Sequence, residues 1–278
     1  MITLIERQTP LTGGVVAPVD MARHLILRQF VPRDPARLPW FRHVWCVEWD
    51  LPEGVMHRQR TLPYPGFNLV ADQARGTALF GSMRAPFDYP LTGQGRVVGL
   101  RLRPAGQGAL WPDEAVALTD QARAVAQLGV PELAEVLTDL VMTSPTTGGA
   151  EQAVGLLARA VGEMPTQLHR LSNLVDHVQD NPDLFRVADL VTQSGIGLRS
   201  LQDQFRRFVG LSPKTVINRA RLHDVLAALR DSSRPDFADL ALRLGYYDQA
   251  HFIASFRKQI GLTPLAYWQG EQDEGGAG

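Results

Sequence analysis

The chain has 278 residues, a hydrophobic share of 45% and a formal net charge of −1. That texture excludes a disordered or strongly basic protein and sets an expectation of about two folded domains. One cysteine, Cys46, excludes an intramolecular disulfide and fits a reducing cytosol. Residues 1–10 carry Glu6 and Arg7, unlike a secretory signal, and no run approaches the roughly 18 apolar residues of a membrane helix. The expected location is cytoplasmic, with no membrane partner.

Residues 1–115 are rich in Gly and Pro and hold short runs with strand character, around 45–49, 66–70, 77–81 and 97–102. In the last, Val98, Leu100 and Leu102 alternate with Gly99, Arg101 and Arg103, as a half-buried strand should. The expectation is an antiparallel β domain, barrel-like or sandwich-like. Residues 116–165 turn to Ala, Leu and Val at helical spacing. Pro131 opens one helix through Leu133, Val136, Leu137, Leu140 and Val141, residues 144–149 break it, and a second follows through Val154, Leu157, Ala158 and Val161. This connector either packs on its own domain or pairs two copies of the chain as a homodimer.

Residues 166–270 read as all helix, with 271–278 a flexible tail, so the overall class is α+β. Gln204-Phe205-Arg206-Arg207-Phe208-Val209-Gly210-Leu211-Ser212-Pro213 returns as Ser255-Phe256-Arg257-Lys258-Gln259-Ile260-Gly261-Leu262-Thr263-Pro264, a shift of about 51 residues that marks one repeated supersecondary unit. Each copy reads as a short helix, a glycine turn (Gly195, Gly245), a second helix and a Gly-then-Pro break: helices over 187–193 and 198–208, then over 236–244 and 249–260. That is the layout of a helix-turn-helix. A long helix opened by Ser212-Pro213 joins the units. Roughly 13 basic against 10 acidic side chains make this region only slightly positive, so affinity for double-stranded DNA must come from where the arginines sit.

The second helix of each unit divides into two faces. In the first, Leu198, Leu201, Phe205 and Phe208 are the expected core, while Arg199, Gln202, Asp203 and Arg206, with Ser200 beside them, look outward. In the second, Phe252, Ile253, Phe256 and Ile260 are core, and Gln249, Ala250, His251 and Ala254 look outward. Arg and Gln are the side chains that bond guanine and adenine edges in the major groove. Arg206, Arg207, Arg257 and Lys258 sit where they would hold phosphates. The plain alternative is two solvated surface faces.

Gly245-Tyr246-Tyr247-Asp248-Gln249-Ala250-His251-Phe252, with Phe256-Arg257-Lys258 and Gly261-Leu262-Thr263-Pro264, resembles the signature of AraC/XylS-type bacterial transcription regulators over about residues 168–268. The resemblance implies two second helices in successive major grooves, with Arg199, Gln202 and Asp203 and then Gln249, Ala250, His251 and Ala254 facing bases. It also implies RNA polymerase as a further partner of the second unit. Ala254 departs from the family, which commonly has arginine there. Pro39-Trp40-Phe41, Leu62-Pro63-Tyr64-Pro65-Gly66, Phe80-Gly81-Ser82 and residues 99–104 look like the uncharacterised N-terminal domain of one subgroup of these regulators. That resemblance implies a domain sensing a small-molecule effector or dimerising. Trp45, Trp49, Tyr64 and Phe67 would line its ligand pocket, with Arg101 and Arg103 meeting an acidic ligand; otherwise these aromatics are plain core and the two arginines line an exposed strand face.

Catalytic signals are absent from the pattern. Seven histidines form no H-x-H or H-E-x-x-H motif, and the glycine pairs at 93–95 and 106–108 are not placed as a phosphate loop. The expectation is therefore a non-enzyme without cofactor or metal. The alternative is an enzyme or metal-binding cupin-like protein with a helical partner-binding domain, with His43, His57 and Glu48 meeting on facing strands. Cys46 reads as a buried structural thiol.

Overall fold

The computed structural model describes residues 2–8, 15–16, 24–110 and 114–275. In chain order the strands are β1 (Leu4–Gln8), β2 (Val15–Val16), β3 (Leu25–Pro32), β4 (Phe41–Asp50), β5 (Met56–Thr61), β6 (Phe67–Asp72), β7 (Gly76–Phe80), β8 (Phe87–Thr92), β9 (Gln94–Leu102) and β10 (Ala122–Ala124). They form a seven-stranded sheet, β1-β3-β4-β9-β6-β7-β10, and a three-stranded sheet, β2-β5-β8, with every pairing antiparallel. The β domain thus reaches Ala124, past the boundary at 115. The three residues of β10 pair with β7, a tertiary contact too short to carry its own alternation.

Two helices follow, α1 (Pro131–Thr143) and α2 (Thr147–Val161). The second begins inside the 144–149 stretch expected as a break, because the Thr146 side chain accepts from the Gly149 N–H and caps it. Both helices lie on one face of the large sheet. Val44, Cys46, Leu69, Val98 and Leu100 meet Leu133, Leu137, Val154 and Leu157 in one core. Both connector helices thus pack on their own β domain. The small sheet covers part of the other face, where Leu91 packs with Leu25 and Leu51 and the Trp49 indole N–H donates to the Thr92 carbonyl.

The remaining chain is helical: α3 (Thr166–Asp180), α4 (Val187–Ser194), α5 (Leu198–Phe208), α6 (Pro213–Asp231), α7 (Phe237–Arg243), α8 (Gln249–Ile260) and α9 (Pro264–Gly275). The last helix continues five residues into the stretch expected as tail, and 276–278 lie outside the described residues. Two cores run through this region. Leu171, Val175, Leu190, Leu201 and Phe205 form the first; Leu240, Phe252, Phe256, Ile260 and Tyr267 form the second. The joining helix α6 belongs to both, giving Val216 and Ile217 to the first and Leu222, Val225, Leu226 and Leu229 to the second. No helix among the described residues is long and apolar enough to cross a membrane.

Candidate nucleic-acid interface

Both helix pairs turn on the same backbone geometry. Gly195 and Gly245 each sit at φ +68, in the left-handed region that a side chain disfavours. At Gly245 a Cβ would also lie 2.7 Å from the Phe185 ring. The helices that follow start from local signals: Asp248 accepts from the His251 N–H at 2.7 Å to open α8, and Ser212 accepts from the Thr215 N–H at 3.1 Å to open α6.

On α5, Leu201 and Phe205 are fully buried, whereas Arg199, Ser200, Gln202, Asp203 and Arg206 are exposed along one side. Gln204 donates to the Ser200 hydroxyl at 3.0 Å. Leu198, expected in the core, is 50% exposed. It has the right angle around the helix axis but stands in the first turn, beyond the end of the packed layer. Arg206 and Arg207, at the end of the helix, are occupied from within the chain. Arg206 donates to both oxygens of Glu114 at 2.6 and 3.2 Å, and Arg207 approaches Glu114 at 3.4 Å. Asp203 lies 3.6 Å from Arg206 and 3.9 Å from Arg207. The hydrogen bonds that Arg206 donates to Glu114 raise its pKa above the ordinary value.

On α8, Phe252, Phe256 and Ile260 are buried and Ile253 half-buried, while Gln249, Ala250, His251, Ala254, Arg257 and Lys258 are exposed. The small side chains of Ala250 and Ala254 leave a shallow open depression between Ile253, Arg257 and Lys258. His251 sits edge-on to the Tyr246 ring at 5.6 Å. Tyr247, in the turn before the helix, is 91% exposed. At the other end of α8, Arg60 of β5 donates to the Ile260 carbonyl at 2.6 Å while Asp88 holds its other nitrogens. Glu114, Arg60, Leu198 and Tyr247 were not singled out as site residues from the sequence. For Glu114 and Arg60 no sequence signal exists, since their partners lie far along the chain. Tyr247 stood in the open, between Gly245 and the capping Asp248.

The residues expected to line a ligand pocket do not form one group. Phe67 is wholly buried in the core beneath α1 and α2, because its strand register turns it to the helix-covered face. Trp45 lies across Gly99 and donates to the Asn68 side chain at 3.2 Å; Trp49 lies across Gly95. Tyr64 stacks on His223 of α6, with ring centroids 3.7 Å apart and planes 6° from parallel, and Arg101 sits over the Tyr64 ring at 4.3 Å. The metal alternative fails on register. His43 lies on the strand face away from α1, while Glu48 lies on the opposite face, held by Arg96 at 2.6 Å and by Arg28 at 3.7 Å. Cys46 is buried, and burial together with Glu48 pushes its thiol up to about 12.

Comparison with known proteins matches residues 190–270 to the family described as "Helix-turn-helix domain" and residues 30–123 to "Domain of unknown function (DUF6597)". The HTH-type transcriptional activator RhaS of Escherichia coli is 35% identical over 100 residues, which is 36% of this chain and 34% of RhaS. The chain therefore spans about a third of the length of the curated relatives it matches. Among solved structures, a transcriptional regulator with an AraC-type DNA-binding domain from Chromobacterium violaceum superposes with a TM-score of 0.33 at 20% identity, over 39% of this chain and 95% of that one. ToxT from Vibrio cholerae superposes with a TM-score of 0.41 at 10% identity, over 82% of this chain and 98% of that one.

Proposed function

We propose that this chain, which matches a helix-turn-helix family model over residues 190–270 and DUF6597 over residues 30–123, is an AraC-type, sequence-specific DNA-binding transcription regulator. One observation carries the reading: the same two-helix construction occurs twice, each with an exposed polar face, on the two halves of one continuous helix. That helix, α6, has 19 residues and so spans about 28 Å. Two units at its ends are spaced to meet successive major grooves, about 34 Å apart on one side of the duplex.

In this reading Arg199 and Gln202 contact base edges from α5, and Gln249 and His251 from α8. Arg206, Arg207, Arg257 and Lys258 hold phosphates, which fixes register without selecting sequence. Ser200 and Asp203 flank the reading face. Ala250 and Ala254 admit a thymine methyl, as does the exposed Leu198. Tyr247 adds a hydroxyl donor for a phosphate.

The β domain is the regulatory part of the proposal, because it touches every element that sets the geometry of reading. Ser82 donates to the Val209 carbonyl at 2.7 Å and Thr119 to the Gly210 carbonyl at 2.8 Å, at the end of α5. Arg219 of α6 donates to the carbonyls of Pro63 and Arg84. Arg60 holds the end of α8. An effector or a second copy of the chain acting on the β domain would reach the DNA through these contacts, and RNA polymerase completes the set of partners.

The test is binding to DNA from upstream of the protein's own gene against scrambled DNA, across a salt series. Selective, salt-sensitive binding is expected. Arg199→Ala should cost about 1–3 kcal/mol at the selected site and relax base preference there, whereas Lys258→Ala should weaken both DNAs alike and lower the salt slope by about 1. Equal affinity for both DNAs at every salt concentration sinks the proposal.

A further inference from the structure

We infer that Phe185, Arg221 and Tyr246 form a clamp that ties the two helix-turn-helix units together and so sets the half-site spacing they read, with Arg221 as its positioning residue. The consequence for DNA rests on the regulator reading; the clamp itself does not. Arg221 stands near the middle of α6, where the helix passes from the first core, at Ile217 and Ala220, to the second, at Leu222 and Val225. Its guanidinium lies over two rings, 5.4 Å from the Phe185 centroid and 4.3 Å from the Tyr246 centroid. Phe185 comes just before α4 of the first unit, and Tyr246 just before α8 of the second.

Phe185 is the reason to look here. It belongs to neither apolar core of the helical region and stays half-buried. What it touches lies in the other unit: a Cβ at Gly245 would come within 2.7 Å of its ring, so the turn of the second unit is pressed against a side chain of the first. Arg221 closes the joint. Its Nε donates to the Leu244 carbonyl at 2.7 Å, at the end of α7. Its Nη2 is buried with no hydrogen-bond partner among the described residues, and burial lowers its pKa below the ordinary value. An aliphatic side chain would avoid that cost. A planar cation on a long stem does what no aliphatic chain can, bonding a carbonyl at its edge while its face meets aromatic rings.

The joining helix alone does not fix the units. Each packs on its own half of α6, and a helix of this length curves and bends, so a unit rocks about it unless tied off the axis. Arg219 ties α6 to the β domain through the Pro63 and Arg84 carbonyls. Arg221 is two residues on, about 200° around the helix, and the clamp therefore holds the side away from the β domain. With both sides tied, neither unit can swing. Moving one half-site by a base pair shifts it by about 3.4 Å and turns it by about 35°. Units held rigidly cannot follow that change, whereas loosely joined units can. The clamp thus makes spacing part of what is read, and spares the second unit an ordering cost when it docks.

The experiment has two arms, both on the full chain. The first omits DNA. Nitroxide labels at Thr192→Cys on α4 and Leu242→Cys on α7, both exposed and outside the reading faces, report the distance between the units by double electron–electron resonance. Cys46 is buried and stays unlabelled. The labelled parent should give one narrow distance distribution. Phe185→Ala, which leaves both cores intact, and Arg221→Met, which keeps the stem, should widen it at least about two-fold, as a tie becomes a hinge. Phe185→Tyr, which keeps the ring, should leave it narrow. Equal widths in the parent and Phe185→Ala overturn the clamp.

In the second arm the selected upstream DNA is rebuilt with one base pair inserted between its half-sites. The parent should bind it at least about ten-fold more weakly, the scale of a mismatched base pair. Phe185→Ala should bind the original site more weakly than the parent does, yet lose less than about three-fold on insertion, because a loose joint follows the displaced half-site. The same loss in the parent and in Phe185→Ala overturns the spacing role. Should the parent bind upstream and scrambled DNA alike, the regulator reading fails, and the distance distributions still decide the clamp.

Discussion

Glu114 shows how one side chain changes the meaning of others. Arg206 and Arg207 stand on the face proposed for phosphates, yet both are engaged by a carboxylate from the end of the β domain. In the proposed complex with DNA the phosphates displace it. Glu114→Gln removes the competitor and a negative charge that faces the duplex. Affinity for DNA of any sequence should then rise about two- to five-fold at low salt, the scale of an exposed ion pair, with a steeper salt slope because two cations are freed. Unchanged affinity and slope in a filter-binding or anisotropy series would show that Glu114 does not compete. Cys46 is the quieter case at this scale. Buried against Val44 and Leu100, its thiol raised, it is expected to resist alkylation in the folded protein.

At the scale of elements, α5 tests the division into two faces. Leu201 is fully buried and Leu198, three residues earlier, is half exposed. Leu201→Ala should therefore cost roughly 2–5 kcal/mol through a cavity, and Leu198→Ala within about 0.5 kcal/mol. Denaturant unfolding of the two variants side by side reads the difference; equal costs would mean that the face has been drawn wrongly. Periodicity assigned Leu198 to the core because it reports the angle around an axis, not how far along that axis the neighbours reach. The same reasoning explains α6. Its Ser-Pro start and the stripe Leu222, Val225, Leu226 and Leu229 announced it, but Val216, Ile217 and Ala220 lie on a different face because the first half packs into the other core.

Over the whole molecule, the seam between the β domain and α6 carries a pH signature. His43 and His223 are held neutral in the folded protein, with pKa values below the ordinary 6.5. In the unfolded chain both take up protons near pH 6.5, so below that pH the unfolded state binds more protons than the folded one. Stability should then fall as pH drops from about 6.5 toward 3, by up to about 1.4 kcal/mol per pH unit for each histidine. Melting temperatures from pH 7.5 to 5 should show the loss, and His43→Gln should flatten part of it. An identical pH profile in that variant would exclude His43 as a source.

The sequence by itself determined the class of the protein and the placing of its helices. The repeat, the glycine turns and the Ser-Pro and Asp caps are local signals, and α5 and α8 begin and end where those signals place them. Short runs of strand character bounded by turn residues likewise located β4, β6 and β7, and alternation located β9, because such signals need only neighbouring residues to be read. What tertiary structure alone decided were the pairings of residues distant in sequence. Phe67 left the ligand set because register turned it to the helix-covered face, and His43 and Glu48 parted for the same reason. Glu114 met Arg206, and Tyr64 met His223, because two domains docked. Local patterns carry no information about such contacts, since their energy appears only when the packed surfaces meet.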